Sequence, residues 1–568
     1  MASAVVVVLA AWLVFLGVRS VSAYRQDKQG LALLEQVKSH LSPGDLTSSG
    51  SERLLDQAQA DFSGAHADLS SPLFAPVTIV PVVGRQLRSV RALSTAAGTV
   101  SAVGSAFLGR VHTVINQPHS AGPERVASLH TLAAVSASSA AQLRHLDTGP
   151  SQGLVSPLAK KYDQFVSQLD SAQLRLTRAA AVSAAAASIL SGPQNYLVLA
   201  SNNAEMRAGS GAFLDVGVAT TSDGTVHMGT FGPSGNFSLA PGQVAVTGDL
   251  QRNWGWLHPS LDFRNLGLTP QFDVNAPLAA EMWTARTGQA VDGVIALDVV
   301  GLRQLMVATG PVQVGATTVS ADTVEQYLLH DQYNGVTYLA GSSPDRVDAL
   351  GSLARAVLSQ LQGQSTDLKS LASSVSSAVA GRHLMLWSAN PAQQAAWAVS
   401  GVSGSLTPRS VGVSLLNVGG NKLDQYLGVH VDVTTRRSGS ATAVTMTTRL
   451  TNSTPPGQSQ YIAGPFPGDP APYGSYIGVV ADNLPAAAGH ITMTGAGPLA
   501  VNGAEGPTWV VGAPVTLDPG ATTTVVTRFV MPGAHGSMTL VPSARLPAEQ
   551  WSASGRSFDD SAPVTVTW

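Results

Sequence analysis

The spacing of apolar residues divides the chain into three parts, and the first part is helical. From residue 28 to about residue 190, apolar side chains recur every three or four positions, as at Leu31, Leu34 and Val37. A segment that contains three prolines, 71–84, interrupts this pattern. The pattern predicts an N-terminal array of helices over residues 28–41, 52–69, 85–115, 123–146 and 156–190.

The pattern changes at Gly192, where strand-like and helix-like segments begin to alternate. The apolar run NYLVLA (195–200) predicts a buried strand, 211–221 predicts a second, and VDGVIALD (291–298) predicts another. Helical segments follow these strands, including a tract over 343–380 that precedes a late strand, RHLMLWS (382–388). Apolar strands that alternate with helices indicate a three-layer α/β core.

After about residue 416 the sequence becomes a series of short Thr- and Val-rich strands separated by Gly and Pro turns. Alternation such as AVTMTTRL gives each strand one buried and one solvated face, which favours a β-sandwich. We therefore predict an α+β multidomain protein. Its expected parts are a signal peptide or membrane anchor (1–23), a membrane-proximal helical array (24–191), a three-layer α/β domain (192–416) and a β-sandwich (417–568).

The N-terminus carries an uncharged apolar run, ASAVVVVLAAWLVFLGV (2–18), slightly shorter than the ~20 residues of a typical bilayer span. The following Val21-Ser22-Ala23 resembles a signal-peptidase site, so a cleaved signal peptide and a retained anchor both remain open. A start codon placed too late would explain why no basic residues precede the run. Both alternatives predict a body outside the cytoplasm, held at the cell membrane by a single N-terminal span or exported after cleavage.

Composition excludes several classes of function. The 568 residues include no cysteine, which rules out disulfides, thiolate metal sites and cysteine nucleophiles. The formal net charge of −3 and the charged fraction of 12% give no electrostatic basis for binding nucleic acid. The motif H-E-x-x-H and the EF-hand loop do not occur, so the sequence does not indicate a zinc protease or a calcium-binding loop. Ser210, in AGSGA, does not have the spacing of a serine-nucleophile motif.

Candidate chemistry begins with SNNAEMRAGSGAFLD (201–215), which follows the first strand of the α/β part. Its Gly-rich turn could expose backbone N–H groups to a phosphate, with Asn203 and Arg207 beside it. The Gly-Lys-Ser/Thr signature of a P-loop is missing, and a strand rather than a helix follows, so a nucleotide loop is excluded. The alternative is structural, with an internal Glu205–Arg207 pair that fixes a polar loop to the sheet.

A second candidate is the segment 248–275, which carries Arg252, Trp254, Trp256 and Arg264. Tryptophan faces suit sugar rings and arginine suits phosphate, so these residues are candidate ligand contacts. The alternative is that the tryptophans seal the edge of a domain.

Three further polar clusters receive structural interpretations from the sequence. Asp298 is predicted to cap the helix that begins at Val299. The segment HDQY (330–333) is predicted to be a surface loop. Lys422 and Asp424, in NKLDQY, are predicted to form an interdomain salt bridge or turn.

Several of these motifs resemble those of a domain-of-unknown-function family of membrane-anchored proteins common in actinobacteria. They are NYLVLASNNAEMRAGSGAF, TPQFDVNAPLAAEMW, VDGVIALDVVGLRQLMVATGPVQV, GRHLMLWS and NVGGNKLDQYL. They cover most of 192–427, and the resemblance implies no activity.

The order of elements is also distantly similar to that of LytR-CpsA-Psr proteins, extracytoplasmic transferases that move glycopolymers from a polyprenyl-pyrophosphate carrier to peptidoglycan. That resemblance implies a pyrophosphate site in which Arg207 matches the first family arginine and Asn275 the loop asparagine. It also implies that Asp215 holds a divalent cation such as Mg²⁺. The family's arginine–aspartate pair after the second strand has no counterpart, because Gly232-Pro233-Ser234-Gly235 occupies that place.

We therefore expect a membrane-anchored, extracytoplasmic cell-envelope protein that binds a polyprenyl-(pyro)phosphate-linked glycan or lipid near Arg207 without robust catalysis. One alternative is a glycopolymer phosphotransferase of the LytR-CpsA-Psr type, and another is a purely structural scaffold of the envelope. The expected partners are the membrane through the N-terminal helix, a polyprenyl-linked glycan or peptidoglycan, and other envelope proteins. Nucleic acid is not among them.

Overall fold

The computed structural model describes residues 2–39, 49–117, 122–333, 349–362, 368–465 and 470–568. The chain forms two compact units, Met1–Ser188 and Ile189–Trp568. The predicted end of the first helix at 40–41, and residues 343–348 and 363–367 of the predicted helical tract, lie outside the described residues. Within the described part the protein is α+β, with a helical N-terminal region and strand-rich sheets toward the C-terminus.

The N-terminal unit is built from helices whose positions agree with the apolar periodicity. They are α1 (Ala2–Ser39), α2 (Ser49–Leu69), α3 (Ala75–Ile79), α4 (Pro81–Ile115), α5 (Gly122–Arg144) and α6 (Ser156–Ser191). Small residues such as Ala58 and Ala97 are buried around Phe62, which lets α2 and α4 approach closely. Inside this bundle, the Ser94 hydroxyl donates to the Asp27 carboxylate over 2.9 Å, and burial raises the Asp27 pKa to about 6.

Among the described helices, one is long and apolar enough to cross a membrane by length and composition, Pro81–Ile115 (α4). Of its most apolar window, 39% is buried within the protein. Because α4 packs on α2 and α5 and buries Ser89, Ser94 and Ser101, its apolar character is also that of the core helix of a bundle.

The second unit begins with a mixed sheet in the order β3-β2-β1-β4-β7. The strand β4 runs parallel to β1, and the other neighbouring pairs are antiparallel. The strands are β1 (Gln194–Met206), β2 (Gly211–Ser222), β3 (Thr225–Pro233), β4 (Gly293–Asp298) and β7 (Leu384–Ser388), and β5 (Val312–Val314) and β6 (Thr317–Val319) form a separate hairpin.

Helices cover both faces of this sheet, as a three-layer arrangement requires. Leu197 and Leu199 of β1 pack toward α8 (Phe272–Thr287), whereas Val198 and Ala200 pack toward α9 (Val299–Thr309). The remaining helices of the second unit within the described residues are α7 (Gly248–Trp254), α10 (Val324–Leu329), α11 (Ala349–Leu361), α12 (Leu368–Ala380), α13 (Pro391–Ser400) and α14 (Gln460–Ala463).

The C-terminal part is a β-sandwich of two sheets. Its strands are β8 (Ser410–Asn417), β9 (Leu427–Ser438), β10 (Ala441–Asn452), β11 (Tyr476–Pro485), β12 (Gly489–Thr494), β13 (Val501–Glu505), β14 (Thr508–Leu517), β15 (Thr522–Pro532), β16 (Ser537–Leu540), β17 (Gln550–Ala553), β18 (Arg556–Asp559) and β19 (Val564–Thr567). One sheet has the order β12-β15-β10-β9-β17-β18 and the other β13-β14-β11-β8-β16-β19.

The second of these sheets is buried on both faces. In β11, Val480 and Leu484 belong to the core between the sandwich sheets, whereas Val479 and Ala481 pack with Phe272 of the α/β part. The α/β sheet and the sandwich therefore share apolar core and form one compact unit. The strand β8 already lies in the sandwich, although it precedes the predicted domain start at 417.

Candidate functional site

The strand β1 is longer than the sequence predicts, because residues 201–206, expected in a polar loop, continue it to Met206. Shifts in its pairing with β2 fall at Ala200/Ser201 and between Asn202 and Met206, where the chain bulges away from β2. The turn into β2 is tight, since a Cβ on Gly211 would meet the Asn202 carbonyl oxygen at 2.0 Å. The polar end of β1 is a bulged strand whose side chains are directed into the protein.

The two asparagines of this segment are buried and hydrogen-bonded to other elements. Asn202 donates to the Tyr333 hydroxyl over 2.8 Å, and its own oxygen accepts from the Ala204 N–H. Asn203 donates to the Asp298 carboxylate over 2.8 Å and to the Ala544 carbonyl over 2.9 Å. Asn203, predicted as a ligand contact, thus links β1 to the start of α9 and to the C-terminal part of the sandwich.

Glu205 forms an ion pair with Lys422. The structural alternative had predicted a pair between Glu205 and Arg207 instead. The Lys422 ammonium is buried and lies 4.3 Å from the ring centre of Tyr333 and 5.1 Å from that of Tyr461. Burial alone lowers the pKa of Lys422, but Glu205 and the two tyrosines raise it above its usual value. Lys422 is therefore a fixed cation where β1 of the α/β sheet meets the sandwich. A salt bridge was one of the two alternatives predicted for this segment.

A second buried ion pair lies beside the first. Asp424 accepts from Arg545 over 2.7 Å, and both side chains are fully buried. The same carboxylate accepts from the Met206 N–H over 3.0 Å and from the Asn417 amide over 2.9 Å. A buried carboxylate is stable only when its oxygens accept hydrogen bonds. The donors to Asp424 therefore hold the end of β1 against the sandwich.

Arg207 makes its hydrogen bonds to backbone carbonyls. Its Nε donates to the Arg264 carbonyl over 2.9 Å, and Nη1 donates to the Asn417 carbonyl over 2.8 Å and to that of Met206 over 3.0 Å. Burial lowers the pKa of Arg207, and the cation of Arg264 lowers it further, while Glu205 and Asp424 act in the opposite direction. Arg207 is half-buried and binds three segments of backbone together.

The other two candidate arginines are paired with carboxylates near them in sequence. Arg264 binds Asp262 in a bidentate manner, with Nε–Oδ1 and Nη2–Oδ2 distances of 2.9 and 2.7 Å. Burial acts to raise the pKa of Asp262, but the Arg264 hydrogen bonds hold it below its usual value. Arg252 pairs with Asp249 on the exposed face of α7.

The two candidate tryptophans lie in different surroundings. Trp254 is fully buried, and its indole N–H donates to Glu505 of β13 over 2.6 Å. Trp256 is half-exposed and donates to the Asn253 carbonyl over 3.1 Å. The Trp254 contact supports the alternative in which the tryptophans seal the edge of a domain. The ring of Trp256 is partly exposed to solvent.

Asn275 was expected in a loop, but the structure places it inside α8, where it is buried and donates to the Thr269 carbonyl over 2.8 Å. The sequence pattern misplaced the start of this helix, which begins before Pro277 at Phe272. Asp215 lies in β2, opposite Ala200, and is buried.

The Mg²⁺ site predicted at Asp215 is not accompanied by a cluster of acidic or histidine side chains among the described residues. In the part of the chain that the structure describes, no three His, Asp or Glu side chains converge as metal ligands. Mg²⁺ can be held by one or two carboxylates together with the phosphates of a ligand, so the role of Asp215 stays a prediction.

Arg207 does not line either of two open spaces that lie among the described residues. A shallow groove of about 420 Å³ follows one side of α6 between Tyr162 and Leu174. A small cavity beside Ala208 and Pro270 measures about 10 Å³, which leaves room for roughly one water molecule. The groove is large enough for a small ligand, but one helix alone forms it.

Residues 191–333 match the model of a family described as a protein of unknown function (DUF4012). This confirms the predicted resemblance to an uncharacterised family for that part of the chain, which is less than half of its 568 residues. The DUF4012 match begins just before β1 and ends at Tyr333, the residue that accepts from Asn202. No curated protein and no solved structure matches the chain.

Sequence reasoning missed Tyr333 and Arg545 as members of the β1 network. HDQY was predicted to be a surface loop, yet Tyr333 is buried there and receives hydrogen bonds from across the unit. Arg545 lies 121 residues from Asp424, so no local spacing connects them. The available signal was composition, since a lysine, an aspartate and an arginine in otherwise apolar surroundings require partners.

Proposed function

We propose that this chain is a membrane-anchored structural protein of the cell envelope whose C-terminal unit serves as a rigid interaction module. One observation carries the proposal: the polar groups at the end of β1, where a ligand site was expected, are bonded within the fold. Glu205 is paired with Lys422, Asp424 with Arg545, and Arg207 with backbone carbonyls. A pyrophosphate there would have to displace these contacts before it could gain its own.

The geometry at Arg207 argues against glycopolymer transfer by this site. Stabilising the charge of a transferred phosphoryl group requires several converging donors and a metal ion. The guanidinium of Arg264, whose charge acts on Arg207, already donates from two of its three nitrogens to Asp262. This favours the scaffold over the transferase among the functions that the sequence left open.

Anchoring by α1 is supported by the packing of its N-terminal half. The helix continues without a break from Ala2 to Ser39, through the Val21-Ser22-Ala23 segment. Leu16 and Ala23 are buried in one cluster with Leu69 of α2 and Leu87 of α4. Cleavage after Ala23 would remove Leu16 and Ala23, and with them part of this buried cluster. We therefore favour retention of the helix as an anchor, with the body outside the cytoplasm.

A second candidate function, binding of a phosphate-bearing polyprenyl lipid or glycan, rests on the proximity of two cations. Arg264 is about half exposed, and its charge acts on that of Arg207. An anion placed between the two guanidinium groups would relieve their repulsion.

Binding of a polyprenyl phosphate to the full-length protein in detergent separates the two candidates. If the proposal is correct, wild type and Arg207→Ala bind equally, or neither binds, because Nε and Nη1 of Arg207 already donate to backbone carbonyls. The matched control is Arg252→Ala, which removes an exposed arginine that pairs with Asp249 of its own helix. Loss of binding in Arg207→Ala alone, with an unchanged Tm, would contradict the scaffold and establish the ligand site.

A further inference from the structure

The hairpin between α2 and α4 exposes a group of large apolar side chains. In this segment Ile79 is 82% exposed and Val82 is 63% exposed, and Leu73, Val80 and Val83 are each close to half exposed. We call these five residues the hairpin patch. Aliphatic side chains concentrated on a short, Pro-rich turn are typical of a surface that is covered in the working protein.

The inward-facing residues of the same hairpin fix it at one level along α1. Phe74 is buried with Leu16 and Ala23 of α1, and Val77 packs against the same cluster. The apolar run of α1 ends at Val18, which lies within this level, between Leu16 and Ala23. The hairpin patch therefore lies at the height where α1 would leave the hydrocarbon core of a bilayer.

The residues that follow the run on α1 suit a membrane interface. Arg19 pairs with Asp68, and Tyr24 is exposed on the helix surface. Tyrosine and arginine at the end of an apolar span are typical of the headgroup region. Val155, which is also exposed, lies close by, because its N–H donates to Gln86 of α4 over 3.1 Å.

Two arginines border the hairpin patch. Arg85 lies against Gly153, and Arg88 donates to the Thr78 carbonyl over 3.1 Å. Neither forms an ion pair with another described residue, so two positive charges lie directly beside the apolar side chains. An apolar surface flanked by unpaired arginines matches the interface of an anionic bilayer, where aliphatic groups enter the acyl region and cations bind phosphate.

We propose that the hairpin patch inserts into the interfacial layer of an anionic membrane, and so forms a second lipid contact beside the α1 anchor. The inference rests on the proposed membrane anchoring. The contact is interfacial rather than spanning, because α4 continues from the hairpin into a bundle whose interior holds the Ser94–Asp27 hydrogen bond. A unit held only by α1 can rotate about the axis of that helix. A second contact through the hairpin patch prevents this rotation and so fixes the orientation of the N-terminal unit on the membrane.

The chain has no cysteine, so single introduced cysteines can carry an environment-sensitive fluorophore. Full-length protein would be labelled at Ile79→Cys, at position 8 in the apolar run, or at Leu174→Cys. Leu174 serves as the control because it is another exposed aliphatic side chain, about half exposed, and lies about 27 Å along α6 from Ser156. Each sample is reconstituted into phosphatidylglycerol-containing vesicles, with and without nitroxide on the lipid acyl chains.

The proposal predicts that acyl-chain nitroxide lowers the emission at position 79 by about twofold or more, while position 174 is unaffected. In Arg85→Glu/Arg88→Glu, the quenching at position 79 should decrease, whereas the quenching at position 8 should persist. Equal quenching at position 79 in phosphatidylglycerol and phosphatidylcholine vesicles would overturn the role of the arginines.

The label at position 8 separates this inference from the proposed anchoring. Quenching at position 8 without quenching at 79 overturns the hairpin contact and leaves the anchor intact. Quenching at neither position overturns both. Quenching at 79 alone supports the hairpin contact and overturns the anchor.

Discussion

Asp482 lies on β11 with its side chain between the sandwich sheets, where water cannot solvate a carboxylate. It accepts from the Thr527 hydroxyl of the opposite sheet over 2.6 Å, and burial raises its pKa to about 7. The nearby Glu549 and Asp560 are also buried with raised pKa values. The sandwich core therefore contains three buried acids whose pKa values burial raises, and Asp482 favours the protonated form at mildly acidic pH.

This leads to a pH prediction for Asp482→Asn. Asp482 binds its proton more tightly in the folded state, so its stabilisation is complete below about pH 4 and is lost as the pH rises through about 7. An amide cannot ionise, so the variant should gain Tm relative to wild type at pH 8 but not at pH 4. Thermal unfolding across this range is the measurement, and the exposed Asp322→Asn serves as the control. A Tm difference that does not change with pH would contradict the prediction.

The sequence showed that the end of β1 carries an unusual group of polar residues, but it did not show which residues they bind. The segment 201–207 was singled out correctly as unusual because asparagines, a glutamate and an arginine follow a buried strand. The partners of Asn203 and Asn202 lie 95 and 131 residues away, at Asp298 and Tyr333. Which of several distant groups satisfies a buried polar side chain depends on tertiary packing, which one sequence does not specify.

At the scale of elements, Asp298 joins three parts of the α/β core. Its carboxylate caps α9 by accepting from the Gly301 N–H over 2.7 Å, which confirms the predicted cap. It also accepts from Asn203, and it binds His383 beside β7 over 2.7 Å. Burial acts to lower the pKa of His383, but Asp298 raises it above its usual value.

We predict that Asp298→Ala destabilises the protein by about 2–4 kcal/mol, because it removes a cap and leaves buried donors unsatisfied. The matched control is Asn390→Ala at the start of α13, where the side chain only caps the helix and the cost should be about 1 kcal/mol. Urea unfolding of both variants gives the comparison. Equal losses would show that Asp298 acts as a simple cap.

Elements with strong periodicity were predicted well, and elements whose character comes from distant contacts were not. The spacing of apolar residues gave α4, α5 and α6 to within a few residues. The second half of β1 was missed, since polar residues in a strand resemble a loop until their partners are known. The strand order of the two sandwich sheets was also beyond prediction, because alternation shows which residues face inward and not which strands are neighbours.

At the scale of the whole molecule, the α/β sheet and the sandwich belong to one compact unit, Ile189–Trp568. Apolar side chains from both parts share a core, and the ion pair of Arg545 with Asp424 lies beside the end of β1. Removing one member of a fully buried pair costs about 3–5 kcal/mol, because the other charge is left without a partner.

Native-state hydrogen exchange of the full chain tests whether this unit is cooperative. We predict that Leu199 of β1 and Val480 of β11 exchange with the same free energy of opening, and that Arg545→Met lowers both values equally. Amides of α2, in the N-terminal unit, should not change. A decrease confined to Val480 would mean that the α/β sheet folds without the sandwich.

The contacts of Ala544 and Arg545 also determine the order in which the protein can mature. Asn203 donates to the carbonyl of Ala544, 341 residues further along the chain. Asp424 pairs with the guanidinium of Arg545, which is synthesised 121 residues after it. A chain that emerges from a ribosome N-terminus first therefore carries an unfinished β1 until residues 544 and 545 have been made. Any truncation before residue 545 would leave a buried aspartate without its cation, so quality control could recognise an incomplete copy.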